Sequence, residues 1–131
     1  MAEFEGMPGI SVIMPAHNSE RFIAQAIDSI LEQTYPNLEL IVIDDGSSDN
    51  TPEIVSSYAD HDPRVTLIQQ ARGGVSRAGN AGLHAARFDW VARMDSDDIA
   101  LPHRLETQIK AAIQHPDVIV WGSHAYQINI A

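Results

Sequence analysis

Short apolar runs alternate with amphipathic stretches along the chain. Residues 10–14, Ile-Ser-Val-Ile-Met, are followed by Pro15 and predict a buried strand that stops there. The next stretch, "SERFIAQAIDSILEQTY", places Phe22, Ile23, Ala26, Ile27, Ile30 and Leu31 on one helical stripe, with Asn18 or Ser19 as its cap. Leu38 to Ile43 predicts a second strand. A polar loop and a helix follow in "DGSSDNTPEIVSSYAD", with Thr51 at the N-cap and Pro52 at the first helical position. "RVTLIQQ" predicts a third strand, and "ARGGVSRAGNAG" a glycine-rich loop running into a helix that ends near Ala86. "WVARMD" predicts a fourth strand. A helix over Pro102–Gln114 follows, with Leu105, Ile109, Ala112 and Ile113 on its apolar face, and "DVIVWGS" predicts a fifth strand.

Alternation of strand and helix implies an α/β fold with a mainly parallel sheet, and right-handed crossovers place helices on both faces. In open parallel sheets, ligands bind outside the carboxyl ends of the strands. The residues expected there are Pro15, Ala16, His17 and Asn18 after the first strand, Asp44, Asp45, Gly46 and Ser47 after the second, and Asp95, Ser96, Asp97 and Asp98 after the fourth. Asp, Ser and Gly favour turns and helix caps, which explains one such cluster. Two clusters at equivalent strand ends crowd like charges, and that crowding costs free energy unless a cation relieves it. Mg²⁺ and Mn²⁺ favour carboxylate oxygens and bind through one or two of them together with substrate phosphates. The pattern points to a metal–phosphate site.

Composition narrows the alternatives. The 131 residues suffice for one small domain, and the absence of cysteine excludes disulfides, thiolate metal sites and cysteine nucleophiles. A formal net charge of −10 disfavours nucleic acid and anionic lipid as partners. No apolar run is long enough to span a bilayer, and "MAEFEGMPG" lacks the basic start of a signal peptide. A cytoplasmic protein is expected, with a peripheral position at the inner face of the membrane left open. A phosphate-binding P-loop and the dinucleotide fingerprint G-x-G-x-x-G are both missing, with "MPAHNSE" in the latter's place. Lys110, the sole lysine, falls mid-helix and not after a late strand, against a phosphoacceptor receiver domain. No zinc spacing is present.

Three segments in series carry a resemblance. "SVIMPAHNSERFIAQAIDSILEQTYPNLELIVIDDGSSDNT", "GGVSRAGNAGL" and "ARMDSDDIALPHRLE" resemble, in order and spacing from residue 9 to about 122, the donor-binding part of family 2 glycosyltransferases of the GT-A fold. The resemblance implies that Pro15, Ala16, His17 and Asn18 touch the nucleoside. It implies that Asp45 accepts a hydrogen bond from the base, typically uracil, while Asp44 fixes the loop. Asp95 and Asp97 match the two acids of the D-x-D segment: the first lies near the ribose, with Ser96 beside it, and the second holds a Mn²⁺ or Mg²⁺ that bridges the diphosphate. Asp98 is either a further metal contact or a cap for the next helix. The arginine that the family commonly carries in its third landmark is replaced by Gly79, and Arg77 or Arg72 is left to supply that positive charge.

The implied reaction is transfer of a sugar, with inversion, from a nucleotide-diphosphate sugar, most often a UDP-sugar, to a hydroxyl of a carbohydrate or lipid-linked acceptor. The family's acceptor half, which holds the general base, follows the matched region. The general base is therefore expected beyond Ala131, and no residue of this chain is assigned that role. Residues 1–131 are expected to form one partial GT-A domain, the donor-binding half, truncated after about the fifth strand. Sheet surface exposed by that truncation offers a route to self-association. Two rivals remain at this level: a nucleotide-binding or assembly module without turnover, and a nucleotidyltransferase. The second is disfavoured because a glycine-rich basic loop is absent after the first strand.

Overall fold

The structure is a computed structural model, and it describes residues 2–128. Among these residues, four parallel strands lie in the order β3-β2-β1-β4: β1 is Ile10–Ala16, β2 Leu38–Asp45, β3 Val65–Gln70 and β4 Trp90–Arg93. The intervening helices are α1 (Ile23–Leu31), α2 (Thr51–His61) and α3 (Val75–Ala85), and α4 (Arg104–Gln114) follows β4. No helix among the described residues is long and apolar enough to cross a membrane.

β2 is buried at all eight positions because it pairs on both edges and is covered on both faces, which is why it reads as a nearly unbroken apolar run. Val12, Met14, Leu40 and Val42 face the larger core layer, built with Ile23, Ile27 and Ile30 of α1, Val55 of α2, and Leu105 and Ile109 of α4. Ile13, Ile41 and Ile43 face the other way and meet Ala78 of α3. That second layer is thin. A methyl group at Gly82 of α3 would come within 2.5 Å of Ile13 Cγ2 and 2.9 Å of Ile43 Cδ1. Gly82→Ala is therefore expected to lower stability by about 1–3 kcal/mol through overpacking. Chemical denaturation checks this, and an unchanged midpoint would show that α3 has room to move.

β1 runs two residues beyond the expected stop and includes Pro15. The Met94 N–H donates to the Ile13 carbonyl, so residue 13 turns its backbone groups toward β4. Pro15 has the same parity, and the pairing of β1 with β4 ends at Ile13–Arg93. The N–H that proline lacks would have faced a strand that has already ended.

The expected fifth strand is not formed. Residues 117–123 carry no strand pairing, and Ile119 and Val120 are 85% and 80% exposed. A strand needs a ladder, and the free edge of β4 is only four residues long. The run instead borders a groove of about 310 Å³ between β4 and α4, with Ile119, Val120 and Trp121 on one side and Trp90, Val91 and Ile109 on the other.

Two helix starts also differ from expectation. The carbonyl of Ser19 accepts the N–H of Phe22 and of Ile23, but its hydroxyl caps nothing. Thr51 is already helical and Asn50 is the N-cap, with no side-chain cap bond; Asp49, one residue earlier, takes the Thr51 N–H at 2.9 Å and the Thr51 hydroxyl at 2.6 Å on its Oδ1.

Candidate functional site

At the carboxyl edge of the sheet, the loops after β1 and β2 are zipped together by small polar groups. The Asn18 N–H donates to Ser47 Oγ at 2.9 Å, and the Ser48 N–H donates to Asn18 Oδ1 at 2.8 Å. The Glu20 N–H donates to Asp49 Oδ2, and Glu20 Oε2 accepts the Asn50 N–H. The Ser19 N–H donates to Thr51 Oγ1 at 2.8 Å. Asn18 adopts a left-handed backbone, φ 47°, which asparagine tolerates better than most residues. His17 Nδ1 lies 2.9 Å from the Asp45 carbonyl oxygen, so that nitrogen carries the proton and donates, leaving Nε2 to accept from the Asn18 amide at 3.3 Å. Pro15 is half-buried and Ala16 buried, beneath this surface.

The two aspartates that end β2 point to opposite faces, as successive strand residues must. Asp45 shares the face of Ile43 and reaches the glycine-rich loop. Its Oδ1 accepts from Gln70 Nε2 at 2.8 Å and the Gly73 N–H at 2.8 Å; its Oδ2 accepts from the Gly74 N–H at 2.9 Å and Arg72 Nη1 at 3.2 Å. The Gln70 and Gly73 bonds, more than the charge of Arg72, hold its carboxyl below the usual range against the opposing effect of burial. Gly46 makes the close approach possible: it has φ +70°, and a Cβ there would sit 2.8 Å from the Arg72 nitrogen. Asp45 thus ties down the glycine-rich loop that follows β3. Asp44 is buried, and its Oδ1 has no partner among the described residues.

Because the folded carboxyl of Asp45 is depressed, its contribution to stability is complete above its unfolded value, about pH 4, and lost as pH falls through the folded value. Asp45→Asn removes this titration. Stability of the variant should fall less steeply than wild type below about pH 4. Parallel acid-denaturation curves would contradict the assignment.

After β4, Asp95, Asp97 and Asp98 are all exposed, and one carboxylate oxygen of each lies within 4.8 Å of the others. Loss of solvation, followed by repulsion from Asp97 and Asp95, raises the Asp98 carboxyl above its ordinary value, and Arg104 only partly offsets this. Arg93 Nη2 approaches Asp95 Oδ1 at 3.5 Å, a long, exposed pair that neutralises little. Three hard oxygen donors on one turn suit Mg²⁺ or Mn²⁺. Ser96, expected to lie at the ligand, instead turns inward, 9% exposed, with its hydroxyl 2.7 Å from that of Ser19. Of the two arginines, Arg72 is engaged with Asp45, while Arg77 is exposed, lies against Gly73 and forms no ion pair among the described residues. Ala131, beyond which the general base is expected, lies outside the described residues.

The glycosyl transferase family 2 model matches residues 11–129. The chain belongs to glycosyl transferase family 2. It is 41% identical over 121 residues to an uncharacterized glycosyltransferase of Haemophilus influenzae, covering 92% of this chain and 48% of that protein. It is 34% identical to glycosyltransferase GlyG of Streptococcus pneumoniae, covering 88% of this chain and 38% of that one. The chain thus spans under half the length of these relatives. Among solved structures, TarS 1–349 of S. aureus in complex with UDP-GlcNAc superposes with a TM-score of 0.77 at 30% identity, covering 82% of this chain and 32% of that one. The mannosyltransferase PcManGT of Pyrobaculum calidifontis, in complex with GDP-Man and Mn²⁺, gives 0.72 at 34% identity, again covering 82% and 32%. These neighbours are GT-A glycosyltransferases, and the four-stranded sheet described above is the corresponding part of that fold.

Proposed function

We propose that this chain forms the donor-binding part of a metal-dependent glycosyltransferase that transfers a sugar, with inversion, from a nucleotide-diphosphate sugar to an acceptor hydroxyl on a carbohydrate or lipid-linked molecule. The observation that carries this reading is the convergence of Asp95, Asp97 and Asp98 within 4.8 Å at the strand edge. The same edge bears the loop that Asp45 ties to the Gly73 and Gly74 amides. TarS with UDP-GlcNAc and the mannosyltransferase with GDP-Man and Mn²⁺ support it by likeness.

Each residue then has a task. The β1 loop, Pro15 to Asn18, forms one wall against the nucleoside. Asp45 offers the base edge an acceptor. Its four acceptor directions are all taken, so the base must displace a donor, and Arg72 is the one to leave because its side chain is 59% exposed. Asp97 and Asp95 would hold Mn²⁺ or Mg²⁺, with Asp98 beside them. When bound, the cation neutralises charge on the departing diphosphate. Arg77, free of carboxylate partners among the described residues, is the cation available to the phosphates.

The base proposed is uracil, whose N3–H donates to the Asp45 carboxylate; guanine N1–H can donate to the same acceptor, so GDP is the competitor that matters. Titrating UDP, UDP-sugars, GDP, ADP and nucleoside triphosphates by calorimetry, with and without Mn²⁺, tests the reading. Metal-dependent binding of the diphosphates, UDP foremost, is expected. Tight triphosphate binding with pyrophosphate release would favour a nucleotidyltransferase instead.

A further inference from the structure

Ser96 is the residue between the two acids of the D-x-D segment, yet it is the one that leaves the surface. Asp95 and Asp97 are exposed while Ser96 is 9% exposed. Its hydroxyl lies 2.7 Å from Ser19 Oγ, seventy-seven residues away in sequence. Ser19 Oγ in turn donates to the His17 carbonyl at 3.3 Å. A serine has one hydroxyl proton, so if Ser19 donates to His17 it must accept from Ser96. The polarity is therefore Ser96 to Ser19 to His17, and His17 Nδ1 donates onward to the Asp45 carbonyl. Ser19 is itself held from behind, since its N–H donates to Thr51 Oγ1, which donates to Asp49 Oδ1 at 2.6 Å. One line of hydrogen bonds thus joins the loops after β4, β1 and β2.

We infer that Ser96 and Ser19 are positioning residues: their hydroxyl pair anchors the Asp95–Asp98 turn to the nucleoside-facing loops, so that carboxylates and nucleoside pocket are held in register. This rests on the donor-binding reading proposed above. The turn is anchored at its two ends, by the Met94 N–H on the Ile13 carbonyl and the Ala100 N–H on Ser29 Oγ, and in between Arg93 meets Asp95 only at a long 3.5 Å. Within it the Asp98 N–H reaches the Asp95 carbonyl at a long 3.2 Å, and mutual repulsion of the carboxylates works to open it. A hydroxyl pair with its protons assigned suits the task, because it fixes the turn without adding charge near three acids.

Three measurements on this chain test the inference. In Ser96→Ala, hydrogen exchange at the Asp98 amide, which donates to the Asp95 carbonyl, should quicken about fivefold or more, the amount expected from losing one hydrogen bond, while the amides of β1 and β2 stay unchanged. Calorimetric affinity for UDP with Mn²⁺ should fall by a similar factor, and affinity for uridine alone should stay within about twofold. Ser19→Ala should do at least as much, since it also removes the bond to the His17 carbonyl, and the double variant should be no worse than Ser19→Ala, because the bond between the two hydroxyls is already lost there. Ser96→Thr, which keeps the hydroxyl, should restore both readouts. A merely structural role predicts a lower melting temperature with equal losses for uridine and UDP, and that result overturns the inference. So does unchanged exchange at the Asp98 amide in folded Ser96→Ala. If the wild-type chain shows no Mn²⁺-dependent UDP binding, the donor-binding reading fails, and the exchange data still decide whether the hydroxyl pair holds the turn.

Discussion

Asp97→Asn weakens Mn²⁺-dependent binding of a nucleoside diphosphate by about 2 kcal/mol or more, roughly thirty-fold. The substitution keeps the shape of the side chain and removes a charge from a set of three carboxylates that lie within 4.8 Å of one another. Without metal, the same change has the opposite sign. It relieves the repulsion that raises the Asp98 carboxyl, so affinity for UDP alone should hold or improve slightly. Calorimetry of both proteins with and without Mn²⁺ checks the two signs. Equal affinities in the presence of metal would remove Asp97 from the role given to it.

The second large effect belongs to Asp45. Its carboxylate takes four hydrogen bonds, two of them from backbone amides of the glycine-rich loop. Asp45→Ala leaves the Gly73 and Gly74 N–H groups without that acceptor, and a loss of at least about 3 kcal/mol in stability is expected. Where the variant still folds, in the cold or with a stabilising osmolyte, UDP should lose its advantage over ADP and GDP, while Mn²⁺ retains its grip on the phosphates. A variant that keeps both full stability and UDP preference would show that Asp45 neither orders the loop nor reads the base.

Much of this is legible in the order of residues alone. The stripe Ile23, Ala26, Ile27 and Ile30 is buried as its spacing requires, and β1, β2 and β3 lie where the apolar runs put them. The acidic turn after β4 is legible too, because three aspartates in four positions have few structural uses. The fate of the expected fifth strand is not: Val118 to Trp121 has strand composition, but pairing depends on a partner edge, which a single segment does not reveal. The sides taken by Asp44 and Asp45 are hidden because they depend on β2 continuing to Asp45, and each further residue reverses the face. The zipper of Asn18, Ser19 and Glu20 with Ser47, Ser48, Asp49 and Thr51 reads only as turn chemistry. Small polar residues in loops look alike whether they bond locally or, as here, about thirty positions away.

The most direct test of the central claim is where metal and nucleotide sit on this edge. Amide NMR spectra of the chain should be followed as UDP is added with Mg²⁺, and again with a trace of paramagnetic Mn²⁺. The proposed function predicts that Mn²⁺ broadens first the amides of residues 95–98, and that UDP shifts those of residues 16–18, 45–47 and 72–74, at the carboxyl ends of β1, β2 and β3. Broadening centred on another acidic patch, or UDP shifts confined to the groove between β4 and α4, would contradict it.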